Sequence, residues 1–131
     1  MTRRIALFIP ALLALGAVLM HVQAEPAQKA PALLRHVVMF KFKKDATPSQ
    51  IDEVVKAFGE LPQQIDAIHS YEWGTNNSPE MLDKGFTHLF LVTFKSEADR
   101  ATYLPHAAHQ AFVAKLKPVL EEPMVIDYWA K

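Results

Sequence analysis

The sequence predicts an α+β domain on a ferredoxin-like plan, a four-stranded antiparallel sheet with its helices on one face. Three observations predict it. Apolar residues recur with period two in four stretches and at helical spacing in three. Their order is strand, helix, strand, strand, two short helices, strand. The chain has 131 residues, half of them hydrophobic and 21% charged, with no internal repeat or low-complexity tract. That is enough for one globular domain and hardly for two.

The first 24 residues stand apart from this plan. Arg3 and Arg4 precede an uncharged apolar run from Ile5 to Met20, and Val22-Gln23-Ala24 ends on a small residue. This is the layout of a secretory signal peptide with cleavage after Ala24. The run contains Pro10 and falls short of the roughly 20 apolar residues a spanning helix needs. The expected mature protein is periplasmic or secreted, with no stable membrane association. Losing two arginines and no acid, it passes from a formal net charge of zero to −2. Neither balance offers the basic surplus that nucleic acid requires. The chain has no cysteine, which excludes a disulfide scaffold, a thiolate zinc site, a cysteine nucleophile and a lipoprotein anchor.

Residues 25–33, with Pro26 and Pro31, read as a flexible lead-in to a domain over 34–131. The first strand is Leu34 to Lys43. One face carries Leu34, His36, Val38, Phe40 and Phe42; the other carries Arg35, Val37, Met39, Lys41 and Lys43. Thr47-Pro48-Ser49-Gln50 is a helix start, with Thr47 as N-cap, Pro48 at the first helical position and Gln50 closing a capping box. Ile51, Val54, Val55, Phe58 and Leu61 then form one apolar stripe, and Pro62 is expected to end the helix. Ala67 to Gly74 reads as the second strand, and Thr75 to Gly85 as a polar loop.

Phe86 to Phe94 is the third strand, with His88, Phe90, Val92 and Phe94 on one face and Thr87, Leu89, Leu91 and Thr93 on the other. Ser96-Glu97-Ala98-Asp99 is expected to open a helix with a second capping box, and Pro105 interrupts it. A further helix spans about His106 to Val119, with Ala108, Phe112, Val113 and Leu116 inward. Pro123 marks its exit, and Met124 to Trp129 is the last strand. Helices can cover one face of such a sheet, yet the first and third strands are apolar on both. An uncovered apolar face is a large exposed patch unless a second copy packs on it. The expected assembly is a face-to-face homodimer whose two sheets form a shared barrel.

Of the six histidines, His21 leaves with the signal and His69 reads as a surface or edge residue. His36 and His88 fall on the apolar faces of their strands, where they approach each other if the strands are neighbours. His106 and His109 are one helical turn apart, and share a face if the turn is regular; Tyr103 lies three residues earlier. Together these residues outline a polar pocket, although a lone histidine on an apolar face is more often an ordinary core residue.

These are also the residues that carry a resemblance. Arg35-His36-Val37-Val38 before Phe40-Lys41-Phe42-Lys43, Trp73-Gly74, Phe86-Thr87-His88 with Val92-Thr93-Phe94, and Tyr103-Leu104-Pro105-His106-Ala107-Ala108-His109 with Phe112 resemble the stress-responsive A/B barrel (Dabb) domain family. That family is a branch of the dimeric α+β barrels. The resemblance covers about Leu34 to Trp129. It implies a homodimer with a cavity in each subunit between sheet and helices.

A characterised plant member closes a linear tetraketide by intramolecular aldol condensation without a cofactor. Its catalytic Tyr and His match Tyr103 and His109, and its pocket histidines match His36 and His88. The chain departs from it in the order Pro105-His106-Ala107 and in the bulk of Phe40 and Phe90, which stand where a long alkyl tail would need room. The resemblance thus implies a pocket of His36, His88, His106, Phe40 and Phe90 around Tyr103 and His109, with no metal and no cofactor. Three uses remain open at this point: binding a small molecule, cofactor-independent lyase or cyclase chemistry with His109 as base and Tyr103 as donor, and a purely structural dimer. The chemistry is sound, because a near-neutral histidine can take a proton alpha to a carbonyl while a tyrosine donates to the enolate oxygen.

Overall fold

A computed structural model describes residues 30–131. The predicted export signal and most of the lead-in lie outside the described residues. The element order is β1 (Leu34–Phe42), α1 (Pro48–Gln64), β2 (Ser70–Thr75), β3 (His88–Phe94), α2 (Glu97–Tyr103), α3 (Ala107–Leu116) and β4 (Leu120–Trp129). The four strands form one antiparallel sheet in the order β2-β3-β1-β4. This is the ferredoxin-like α+β plan that the periodicities predict.

Register decides what each face carries, because residues directly paired across strands point the same way. His36 pairs with Val92 on one side and Asp127 on the other, and Val38 pairs with Phe90 and Val125. This face is the one that α1 and α3 cover. Leu34, His36, Val38 and Phe40 are buried there with Val54, Phe58, Leu61, Phe90, Val92, Phe94, Phe112 and Leu116. Phe58 sits at the centre, its ring centroid 4.5 Å from those of Phe90 and Phe112. The opposite face carries Val37, Met39, Leu89, Leu91, Met124 and Ile126, and among the described residues no helix packs over it. Leu89 and Ile126 remain exposed there.

Local chemistry explains the helix ends. Thr47 caps α1, and both halves of the capping box form: the Gln50 backbone N–H donates to Thr47 Oγ1, and Gln50 Oε1 accepts from the Thr47 backbone N–H at 2.9 Å. Pro62 does not end α1, which runs on to Gln64. A proline in the last turn forfeits one hydrogen bond, to the Phe58 carbonyl, and Ile65 N–H still reaches the Leu61 carbonyl at 2.9 Å. The second capping box is only half present. Ser96 Oγ accepts from the Asp99 N–H at 3.1 Å, and the Asp99 side chain is not seen returning the bond to the Ser96 backbone. Strand β2 starts at Ser70 rather than Ala67.

Strand β4 is longer than its sequence implies, starting at Leu120 and containing Pro123 paired with Phe40. Edge strands tolerate proline because one row of their N–H groups faces solvent, and β4 is an edge. Among the described residues no helix is long and apolar enough to cross a membrane.

Candidate functional site

The site is built where β1, β4, α2 and α3 meet. Strand β1 supplies His36 and Phe40 from its covered face. The last residue of α2 is Tyr103, 1% exposed. The break at Leu104-Pro105 lets the chain turn into α3, which brings His109 back over Tyr103, ring centroids 4.4 Å apart. His36 packs edge-on against the same tyrosine at 5.7 Å. These residues line a cavity of about 370 Å³. Its remaining wall is almost wholly apolar, with Phe58, Phe112, Leu116 and Val125 prominent. One end is therefore two imidazoles and a phenol, and the rest is hydrocarbon.

Hydrogen bonds fix the tautomers of both rings. His109 Nδ1 lies 2.9 Å from the Leu104 carbonyl, which can only accept, so Nδ1 carries the proton and Nε2 is the acceptor. His36 Nδ1 lies 2.7 Å from Asp127 Oδ1, a carboxylate oxygen that can only accept, so Nδ1 carries a proton there too. The other carboxylate oxygen of Asp127 accepts from Arg100 Nη1 at 2.7 Å.

Burial pushes the His109 pKa below its ordinary value; the Leu104 carbonyl offsets part of the shift, and nearby His36 and His106 add to it. Burial also raises the Tyr103 pKa well above the usual phenol value, so the hydroxyl keeps its proton. The ensemble at neutral pH is a neutral imidazole beside a neutral phenol, one an acceptor and the other a donor.

Four of the seven sequence-predicted site residues thus share one cavity: His36, Phe40, Tyr103 and His109. The other three stand elsewhere. His88 pairs with Phe40, four residues along β1 from His36. At about 3.3 Å per residue this is some 13 Å, too far for the two histidines to meet. His88 instead stacks on Trp73 and meets the edge of Phe42, and it lines a separate cavity of about 480 Å³ with Met39, Asn76, Asp83, Leu89 and Met124. Phe90 is fully buried beneath Phe58 and Phe40, in the core rather than on the cavity wall.

His106 does not share a helical face with His109. It is the N-cap of α3, and its Nδ1 accepts from the Ala108 backbone N–H at 3.1 Å. The regular turn on which the pairing depended begins one residue later. His69 is exposed, as read from its neighbours.

Sequence reasoning missed Asp127 and Arg100. The signal for Asp127 was available: it is the lone carboxylate inside the apolar strand Met124 to Trp129, and at period two it falls on the face of Val125. Arg100 stands three residues before Tyr103, one helical turn, but nothing in the sequence pairs it with a residue 27 positions away. Among the described residues no group of three or more His, Asp or Glu could hold a metal ion.

Comparison with known proteins places the chain in a family. The family model described as Stress responsive A/B Barrel Domain matches residues 34–130. A stress-response A/B barrel domain-containing protein of Arabidopsis thaliana is 34% identical over 77% of this chain and 93% of its own length. The olivetolic acid cyclase of Cannabis sativa is 30% identical over 72% of this chain and 94% of its own. Among solved structures, the hydroxynitrile lyase of Passiflora edulis superposes with a TM-score of 0.70 at 28% identity, covering 77% of this chain and 95% of the lyase. A protein of Bacteroides fragilis, described as dimeric and ferredoxin-like, superposes at 0.62 with 25% identity, covering 75% of this chain and 96% of that one. On the match across residues 34–130, this chain belongs to the stress-responsive A/B barrel domain family.

Proposed function

We propose that the protein is an exported homodimer that binds a small carbonyl compound in the His36–Tyr103–His109 cavity. The observation that carries this reading is the cavity's polarity: one end holds a phenol donor and two imidazoles, and the remainder is apolar. A carbonyl oxygen would accept from Tyr103 while an apolar body fills the space against Phe58, Phe112 and Leu116. An engineered apolar cavity of about 150 Å³ holds benzene. By proportion, 370 Å³ suits a molecule of about 10 to 15 non-hydrogen atoms. Pairing of two open sheet faces is supported by their apolar centre, Val37, Met39, Leu91 and Ile126, and by the dimeric description of a structural neighbour. Export is supported by the charged start, apolar run and small-residue end of residues 1–24.

A second reading, cofactor-independent lyase or aldol-type chemistry, is favoured by one specific feature. His109 is held neutral with Nε2 as its acceptor, beside a tyrosine held protonated. A base and an acid in contact are what removal of a proton alpha to a carbonyl requires. Two relatives of this chain bear the names of a cyclase and a lyase.

Benzylacetone, a methyl ketone with a phenyl tail and of fitting size, tests both readings. Binding followed by calorimetry should be saturable and weakened about tenfold or more in Y103F, the loss of one hydrogen bond to a ligand oxygen. No binding, or binding indifferent to Y103F, refutes the carbonyl site. Exchange of the ketone's alpha protons in heavy water, read by NMR, tests the chemistry. Acceleration by the protein that is lost in H109Q supports catalysis; binding without acceleration leaves a binding protein.

A further inference from the structure

We infer that Arg100 is a positioning residue that acts through Asp127 to set the proton affinity of His36. It thereby decides whether that ring meets a ligand as a neutral acceptor or as a charged donor. The inference rests on the carbonyl-site reading only for what His36 touches.

The geometry is a three-membered relay. Asp127 is held on both oxygens, Oδ1 by His36 Nδ1 and Oδ2 by Arg100 Nη1, each at 2.7 Å. The side chain of His36 is 7% exposed, whereas those of Asp127 and Arg100 are 24% and 28% exposed. The arginine is therefore the wet end of a chain whose dry end lines the cavity. Arg100 lies in the last turn of α2, where a cation is favoured by the helix C-terminus. It stands one turn before Tyr103, so one helix presents both the phenol and the outer charge of the relay.

A carboxylate alone beside an imidazole favours the imidazolium. A guanidinium on the far oxygen opposes this, because it offsets the carboxylate's field and repels a second positive charge. The ionisable groups that face His36 are Asp127 from β4, Arg100 and Tyr103 from α2, and His109 from α3. From β3 it meets Val92 and Phe94, which carry no charge. Arg35 points to the opposite face of β1, where it bonds Thr93. Arg100 is thus the one fixed cation of this set.

The two short hydrogen bonds and the width of a carboxylate put the guanidinium about 7 Å from the imidazole. One unit charge at that distance, in a partly wet setting between the protein and bulk-water limits, moves a titration by about one pH unit.

The test is a ligand-free NMR titration of the His36 ring proton in the intact protein, with the resonance assigned by its loss in H36Q. R100M should raise the midpoint by about one pH unit. R100K, which keeps the charge, should stay within about 0.3 units of the parent. If R100M does not fold, R100Q makes the same comparison. An unchanged midpoint in the neutral variant overturns the inference, as does R100K moving as far as R100M, which would make shape rather than charge the cause. No ligand enters this titration. A protein that fails to bind benzylacetone but shows the shift loses the carbonyl site and keeps the relay; one that binds benzylacetone but shows no shift loses only the relay.

Discussion

Replacing Ile126 by Glu should dissociate the proposed dimer, and the same change one residue earlier should not. Ile126 and Val125 are adjacent on edge strand β4 and equally exposed in the single subunit, 53% each. They differ in the face they occupy. Ile126 pairs with Val37 on the open face, and Val125 pairs with Val38 on the helix-covered face. Covering the exposed half of an isoleucine is worth about 1 to 1.5 kcal/mol, and two-fold symmetry counts it twice. A carboxylate there adds the cost of taking an ion out of water, several kcal/mol for each copy. The combined penalty is about 5 kcal/mol or more, which weakens dimerisation by at least ~10³-fold. Sedimentation velocity across a dilution series reads this directly. The reasoning fails if I126E sediments with the parent's dissociation constant. It fails equally if V125E dissociates as readily, because face and not exposure is what the argument turns on.

Three further outcomes follow from the core, a cap and the site. Phe58→Ala should cost about 3–5 kcal/mol in urea unfolding at fixed protein concentration, because a large, fully buried ring at the centre of the aromatic cluster is deleted. Thr47→Ala should cost about 1 kcal/mol by the same assay, since it removes the cap of α1 while leaving the core untouched. His109→Gln should flatten the acid side of the stability profile. Burial lowers the folded-state pKa of His109, so as pH falls below about 6.5 the unfolded chain takes up this proton before the folded one and stability drops. Urea midpoints of the parent should decline across that window more steeply than those of H109Q, and parallel profiles would show that His109 is not held neutral by the fold.

The strands were legible because period two survives in every one of them, and the open face because β1 and β3 alternate apolar with apolar. The boundaries that slipped did so for identifiable reasons. Pro62 and Pro123 read as terminators, yet one falls in a final turn where a single bond is lost, and the other in an edge strand whose N–H groups are half unused. The site was legible residue by residue but not as a constellation. Tyr103 and His109 are local to one break between helices, so spacing alone brings them together. Pairing His36 with His88 needed the register of β1 on β3, and sharing a face of each strand says nothing about rows along it.

Asp127 shows the same limit from the other side. Its distance in sequence from His36 is 91 residues, and only the pairing of β1 with β4 makes the two direct neighbours. Once that pairing exists, the position is strongly constrained. An apolar residue there would leave His36 Nδ1–H buried without an acceptor, at a cost of about 1–3 kcal/mol, and would free the ring to turn. A carboxylate satisfies the proton, holds the ring in place with Nε2 as its free nitrogen, and is itself tied to α2 through Arg100. The edge strand therefore has two duties that its alternation separates. Met124, Ile126 and Tyr128 face the open side; Val125 and Asp127 face the helix-covered side, where Val125 lines the cavity and Asp127 holds His36. Within the apolar run Met124 to Trp129, Asp127 is the point at which the sequence gives up burial for orientation, an exchange that serves a ring whose free nitrogen has something to meet.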